Sequence, residues 1–407
     1  MQAFTDSWLE MSAVAAAKST KAPLSFRLVR EEAELREWAD AWQALLERSA
    51  SAEPMLSPAW LLAWWQVYGD GRALHVGLFH DGDQLVGLAP LCKRRFSHRP
   101  GIPFQRLEFL GSEVDENDGV CSEYLNVIAQ RGREAEVADA LARALADGAF
   151  GTWQEIVFAA MDGEGAMPAL LQAAFDSHGL RAESRTVDAA PFLSLPENWD
   201  AFLPTLDKKT RQNLVKPVRD LDRWADADWQ IHRVESAADL ETGWNILQQL
   251  HNQRWQQGSG VEGAFARPRF LAFHRLLLPE LLKHGQLELC WLVARGEPVA
   301  VHYEIHANGK AYFYQCGRKL DMPSPLRPGA ALLSLALQHA VAKGLREYDF
   351  LGGMAPYKLQ ITQTSRSIVE LRVARSVPRE WLRRCVEWAI CNTRSLRKRY
   401  RSWRTKR

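Results

Sequence analysis

The chain has 407 residues, a formal net charge of +2, 47% hydrophobic and 25% charged residues. That length exceeds one ordinary core and suits two domains, and the composition excludes fibrous, low-complexity and disordered classes. No run reaches the ~18 uninterrupted apolar residues of a membrane span, and the six cysteines (Cys92, Cys121, Cys290, Cys316, Cys385 and Cys391) include no CxxC pair, so no zinc site or disulfide framework is expected and a reducing cytoplasm is the simplest setting.

Residues 1–23 lack a basic segment followed by a long apolar core, so they are read as a disordered leader and not as a signal peptide. "LSFRLVR" (24–30) alternates as a strand does. Leu35, Trp38, Trp42 and Leu45/Leu46 then recur at helical spacing. "SPAWLLAWWQVYG" opens with Ser57 as N-cap and Pro58 at the first helical position, which predicts a Trp-rich helix. Two strands in "ALHVGLFHDGDQLVGLAPL" meet at Asp81-Gly82, a hairpin signal. "FQRLEFLG", "EYLNVIA", a helix over 133–147, "QEIVFAAM", a helix over 167–178 and "PFLSL" complete a first domain over 24–195. Residues 196–225 form a basic helical connector, and Pro217 is expected to kink or end its helix.

The second domain, 226–377, reads as strand "ADWQIHRVES", helices over 237–256 and 268–284, and three strands with turns at Arg295-Gly296 and Asn308-Gly309. There follow the helix in "LRPGAALLSLALQHAVAKG", the strand "REYDFLGG", a short helix "APYKLQI" and the strand "SIVELRVARS". Both halves begin with the same element order, which suggests duplication, and both are α/β (α+β), a mixed central sheet flanked by helices. Residues 378–407 are a basic amphipathic helix. From Arg379 onward eleven Arg and Lys face only Glu380 and Glu387, so the rest of the chain is net acidic. Such a helix either lies peripherally on an anionic membrane, or docks Trp381, Cys385 and Trp388 on the second domain.

Chemistry-bearing residues concentrate in the second half. Arg327-Pro328-Gly329-Ala330-Ala331 opens a helix whose free N–H groups and partial positive charge suit an anion, with Arg327 as a bidentate partner. The same turn also suits a proline-initiated core helix. Asp349 ends a strand where it serves as base or orienting residue, or caps the next turn. Tyr357 is a candidate general acid, or a packed aromatic beside an exposed Lys358. His302, Glu304 and His306 share a strand face, as a metal pair or as a substrate-facing surface; without further ligands at suitable spacing, no metal is expected. Lys208, Lys209 and Arg211 either hold phosphate or form a solvated helix face.

"SPLRPGAALLSLALQHAVAKG", "REYDFLGG" and "APYKLQ", with "SPAWLLAWWQVYG", "LVGLAPL", "CSEYLNVIA" and "LDKKTRQNLVKPVRDLDR", resemble the CelD/BcsL-type acetyltransferases of bacterial cellulose and exopolysaccharide synthesis, relatives of FemAB-like tandem GNAT proteins. The resemblance covers about residues 25–375. It implies tandem GNAT domains and transfer of an acyl group from acetyl-CoA or another acyl-CoA to an amine or hydroxyl of a sugar or cell-envelope precursor. The donor pyrophosphate is expected on Arg327, Gly329, Ala330 and Ala331, although Gly329 stands one place early for the family's usual turn. Tyr357 and Asp349 take the catalytic roles, Lys358, Glu304 and His302 the substrate-binding ones, and backbone N–H groups within Tyr312–Gly317 hold the oxyanion. Two other functions remain open: a FemAB-like transferase using aminoacyl-tRNA, which needs a basic groove that the acidic body does not announce, and a degenerate scaffold. Nucleic acid is not an expected partner.

Overall fold

The computed structural model describes residues 22–98, 101–113, 118–259 and 263–388, excepting the side chains of 256–259. All but the end of the expected leader, and residues 389–407 of the tail, lie outside the described residues. The first half runs β1 (Ser25–Val29), α1 (Glu32–Glu37), α2 (Ala39–Glu47), α3 (Pro58–Tyr68), β2 (Arg72–Leu74), β3 (Val76–Asp81), β4 (Gln84–Ala89), β5 (Leu91–His98), β6 (Ile102–Phe109), β7 (Ile128–Ala129), α4 (Glu134–Ala146), β8 (Glu155–Asp162), α5 (Ala166–Ser177) and β9 (Ala182–Ser194). The connector holds α6 (Trp199–Phe202) and α7 (Lys208–Ala225). The second half runs β10 (Trp229–Arg233), α8 (Ala237–Ser259), α9 (Pro268–Lys283), β11 (Leu287–Ala294), β12 (Glu297–Ala307), β13 (Lys310–Arg318), α10 (Pro328–Ala342), β14 (Glu347–Asp349), α11 (Pro356–Leu359) and β15 (Ser365–Ala374), followed by α12 over 378–388.

Local chemistry sets these elements as expected in most places. Ser57 accepts the Trp60 N–H and caps α3. Gly82 (φ 59°) turns the β3–β4 hairpin, and Arg295-Gly296 and Asn308-Gly309 adopt positive φ throughout, the requirement of tight hairpin turns. Several tryptophans of the first half are core: Trp42, Trp60 and Trp64 are fully buried, and the Trp42 and Trp60 indoles donate to the Leu56 carbonyl and the Ser122 hydroxyl.

The strands do not stay within their halves. A four-stranded sheet has the order β1-β3-β4-β7, and an eleven-stranded sheet has β10-β11-β12-β13-β14-β9-β15-β8-β6-β5-β2. The last strand of the first half, β9, lies between β14 and β15 of the second, and β15 pairs with β8 of the first. Each half thus completes the other's sheet.

Four details differ from the sequence reading. "LCKRRFSH" is a full strand, β5, and "EYLNVIA" contributes only two strand residues, because the backbone adopts positive φ at Cys121 just before it and at Tyr124 within it. α7 continues through Pro217: Leu214, Pro217 and Leu221 are buried, and Leu221 and Ala225 pack with Ala331 and Leu332 of α10, which offsets the one missing hydrogen bond. In α12, Trp381 and Trp388 are both 70% exposed, so the expected docking through them does not occur. That helix is instead seated by Glu380, buried among Arg372, Arg383 and Arg384.

Candidate active site

β13 pairs in parallel with β14 over only three positions, Lys310 to Tyr312. β14 ends at Asp349 while β13 runs on to Arg318, so the strands part and the β14-facing edge of residues 313–318 has no strand opposite it. This is where oxyanion-binding N–H groups are expected. α10 covers one face of the gap with its N-terminus at the open end. A cavity of about 390 Å³ lies there, lined by Arg254, His302, Cys316, Arg318, Arg327, Gly329, Ala330 and Tyr357, among others.

Five of the nine residues singled out as site residues therefore share one cavity: Arg327, Gly329, Ala330, Tyr357 and His302. Arg327 is the N-cap of α10 and its carbonyl accepts the N–H groups of both Ala330 and Ala331. Pro328 has no N–H, so the free backbone donor of this turn is that of Gly329. A Cβ at Gly329 would come within 3.2 Å of the Arg318 side chain. Ala331 is fully buried in the helix core and does not line the cavity.

Two further arginines, Arg254 of α8 and Arg318 at the end of β13, join Arg327. None of the three has a carboxylate partner among the described residues; Arg254 instead donates to the Cys316 sulfur at 3.3 Å. Unpaired guanidinium groups around a helix N-terminus fit a multiply charged phosphate ester. Sequence reasoning missed both, because they come from elements distant in the chain and carry no motif.

Tyr357 faces the cavity, half-buried, with no hydrogen-bond partner for its hydroxyl among the described residues. Burial first, and the nearby Cys316 thiol second, push the phenol well above its ordinary value. It therefore stays protonated and is a donor, and a weaker acid than an ordinary tyrosine.

The remaining residues lie outside the cavity. Asp349 is fully buried; it accepts from the Tyr124 hydroxyl (2.8 Å) and the Leu351 N–H (2.7 Å) and lies 3.3 Å from Arg366. Burial, opposed by Arg366 and these hydrogen bonds, raises its carboxyl to about 6. It caps the turn into Leu351 and ties the halves together. Glu304 is buried between His302 and His306 and accepts the Tyr348 hydroxyl at 2.5 Å. Lys358 is buried and donates to the carbonyls of Leu351 (3.0 Å) and Gly352 (2.5 Å). Among the described residues no group of three or more metal-ligating side chains is arranged to hold a metal.

A second cavity, of about 650 Å³, is lined by Glu113, Cys121, Glu123, Asp188, Gly352 and Gly353, among others, and Lys358, next in the chain to Tyr357 of the first cavity, donates to the Gly352 carbonyl. Glu123, from the first half, accepts the Gly352 N–H at 2.5 Å. Burial pushes its carboxyl up to about 8, only partly opposed by that hydrogen bond. Cys121 (φ 50°), Tyr124 (59°), Ala160 (57°) and Leu351 (57°) hold left-handed backbone around this cavity, a conformation costing roughly 1–3 kcal/mol per residue and concentrated at working sites. A Cβ at Gly352 would lie 2.6 Å from Glu123, so glycine is required for this approach.

The splayed parallel strands leave the N-terminus of α10 and a cavity suited to an anion at their mouth. Residues 208–359 match the model of the acetyltransferase (GNAT) domain family. A search of curated proteins found no match. Among solved structures the chain is similar to FemX, with 11% identity and a TM-score of 0.58 over 84% of this chain and 98% of that one. It is also similar to a conserved protein of unknown function from Bacteroides thetaiotaomicron VPI-5482, with 14% identity and a TM-score of 0.50 over 86% and 100% of the two chains. Both likenesses extend across both halves.

Proposed function

We propose that the chain transfers an acyl group, acetyl in the simplest case, from acyl-CoA in the first cavity to an amine or hydroxyl of a sugar or cell-envelope precursor in the second. The observation that carries the reading is the convergence of Arg254, Arg318 and Arg327, all without carboxylate partners, on the Gly329 N–H at the start of α10. Three guanidinium groups equal the phosphate groups of CoA in number and oppose them in sign. The saccharide acceptor rests on the CelD/BcsL resemblance alone.

The chain's own groups divide the work. Gly329 and the three arginines hold the donor's phosphates. The open edge of β13 beyond Tyr312 offers N–H groups to an oxyanion. Tyr357 donates a hydrogen bond toward the departing sulfur. Lys358 fixes the Leu351–Gly352 backbone at the edge of the second cavity. Glu123, presented to the second cavity by the Gly352 N–H, takes the acceptor's proton; a value near 8 suits a base working close to neutral pH.

Release of free thiol from acetyl-CoA, followed with a thiol reagent across amino sugars, neutral sugars and simple amines, tests the reading. Acceptor-dependent release supports it. Release from an aminoacyl-tRNA but not from acetyl-CoA would replace the donor, and release from neither would leave the scaffold reading.

A further inference from the structure

The sheet beneath the second cavity turns one face to the core and keeps the other polar. On β6, β8 and β15 the alternate residues Leu107, Ile156, Phe158, Leu371 and Val373 are buried in the apolar core. Arg106, Glu155, Val157, Glu370 and Arg372 stand between them in the chain and so point to the opposite face. A third cavity, of about 520 Å³, lies along that face. It shares Phe96, Arg106, Val157 and Glu370 with the second cavity, so the two adjoin across a rim built from these four residues. Arg383 and Glu387 of α12 form part of its lining.

α12 is tied to this rim by charge. Arg372 donates to Glu155 at 2.9 Å and to Glu380 of α12 at 2.8 Å, and Arg106 of the rim donates to Glu155 at 2.7 Å. Arg384 reaches Glu183 of β9 at 2.9 Å. Glu155 and Glu380 are both buried, so neither can lose its arginines without a large cost. The helix is thus seated by its charged side. Trp381, Cys385 and Trp388 recur four and three residues apart on the stripe beside that seat, and all three are exposed. Residues 389–407 hold eight Arg and Lys and no Asp or Glu. Exposed tryptophan next to dense positive charge is the chemistry of a helix that rests on anionic lipid.

We propose that the acceptor is an amphiphile carried in an anionic membrane, with its apolar part in the bilayer beside α12 and its polar head laid over the third cavity and the rim, so that its reacting end meets Glu123. The proposal rests on the acyl-transfer reading above and names the acceptors that its second cavity takes.

Length and direction recommend it. Each of the two cavities falls within the roughly 300–1,000 Å³ that encloses one drug-sized ligand, so the pair holds a molecule longer than a single sugar ring. The end of such a molecule that leaves the third cavity emerges beside α12 and its exposed tryptophans. The charges along the way are already matched: Glu370 with Arg185, Glu155 with Arg106 and Arg372, and Glu387 with Arg383. A neutral head group rich in hydroxyls can hydrogen-bond to these pairs without displacing either member. Phe96, half-buried on the rim with the Arg106 guanidinium 3.3 Å from its ring centre, adds apolar surface. Holding enzyme and acceptor on one surface also raises the acceptor's effective concentration, as any second attachment point does.

Thiol release from acetyl-CoA, measured with glucosamine in solution and with dodecyl glucosaminide carried in phosphatidylglycerol-containing vesicles at the same bulk concentration, tests this. The membrane-held acceptor is expected to react ~10-fold faster or more. The ratio of the two rates is expected to fall toward one in the full chain carrying Trp381→Ala and Trp388→Ala, and in vesicles of phosphatidylcholine alone. Both tryptophans are exposed, so the fold tolerates their loss. Glu370→Trp, which fills the rim, should lower the same ratio by obstructing the path between the cavities. Equal rates on the two acceptors, or a ratio that survives these substitutions, would overturn the membrane-held acceptor alone. Failure of the unaltered chain to release thiol with either acceptor would remove the acyl-transfer reading and the proposal with it.

Discussion

The carboxylate of Glu123 accepts the backbone N–H of Gly352 at 2.5 Å, so one hydrogen bond joins the two halves of the chain in the lining of the second cavity. It sets a carboxylate of the first half against the Gly352–Gly353 backbone of the second. Around it the Tyr124 hydroxyl reaches Asp349, and the Tyr314 hydroxyl reaches the Val120 carbonyl at 2.5 Å. The site is a product of both halves.

If Glu123 is the base, kcat/KM rises with pH through a midpoint near 8, and Glu123→Gln lowers kcat ~10²-fold or more while leaving CoA affinity unaltered. A separate stability readout follows from linkage. The folded-state carboxyl is raised above its ordinary 4.5, so the unfolded chain ionises first and stability is lost as pH climbs from about 4.5 to about 8. The Gln variant is spared that loss. Its melting temperature relative to the unaltered chain should therefore be more favourable at pH 8.5 than at pH 5, and the opposite trend would place Glu123 in a solvated, ordinary setting.

Tyr357→Phe removes a hydroxyl with no partner among the described residues, so the fold should not notice. Turnover should fall ~10²-fold with donor affinity retained, because the hydrogen bond to sulfur matters in the transition state. Unchanged turnover would reduce Tyr357 to packing against Phe313.

Asp349→Asn is expected to act on stability first. The carboxylate is fully buried against Arg366, Tyr124 and the Leu351 N–H, and breaking a buried pair of this kind costs about 3 kcal/mol. A melting temperature within a degree of the unaltered chain, together with lost turnover, would return Asp349 to the reaction.

Much of the second half was legible in the sequence because its signals are local. A proline-initiated helix, two hairpins at Arg295-Gly296 and Asn308-Gly309 and a short strand before Gly352-Gly353 marked the elements that carry Arg327, Gly329, Ala330 and Tyr357, which the structure brings to one cavity. What was not legible depends on distance along the chain. Glu123 and Gly352 meet only because β9 crosses into the second half's sheet. Arg254 and Arg318 meet Arg327 for the same kind of reason, through the packing of α8 on β13. Asp349 and Glu304 were legible as residues but not as roles, because a sequence shows that a carboxylate ends a strand and not that a tyrosine, an arginine or two imidazoles enclose it.

The tail offers a membrane test. Trp381, Leu382 and Trp388 face outward from α12 with 70%, 46% and 70% exposure, and the chain beyond them is strongly basic. No helix among the described residues is long and apolar enough to cross a membrane; the attachment proposed is a peripheral one, through these side chains and the basic charge. The full chain should sediment with anionic liposomes and a chain ending at Arg394 should do so weakly, more so at raised salt. Equal sedimentation would remove the last residues from any membrane role.

Calorimetric titration of acetyl-CoA into the full chain and into Arg254→Ala, Arg318→Ala and Arg327→Glu tests the central claim most directly. A charge-assisted hydrogen bond contributes about 1.5–3 kcal/mol. The account therefore predicts saturable binding to the unaltered chain, a loss of roughly 10- to 100-fold for each alanine variant, and no detectable binding when Arg327 becomes a carboxylate. Equal affinity across all four proteins, or no binding to any, would contradict it.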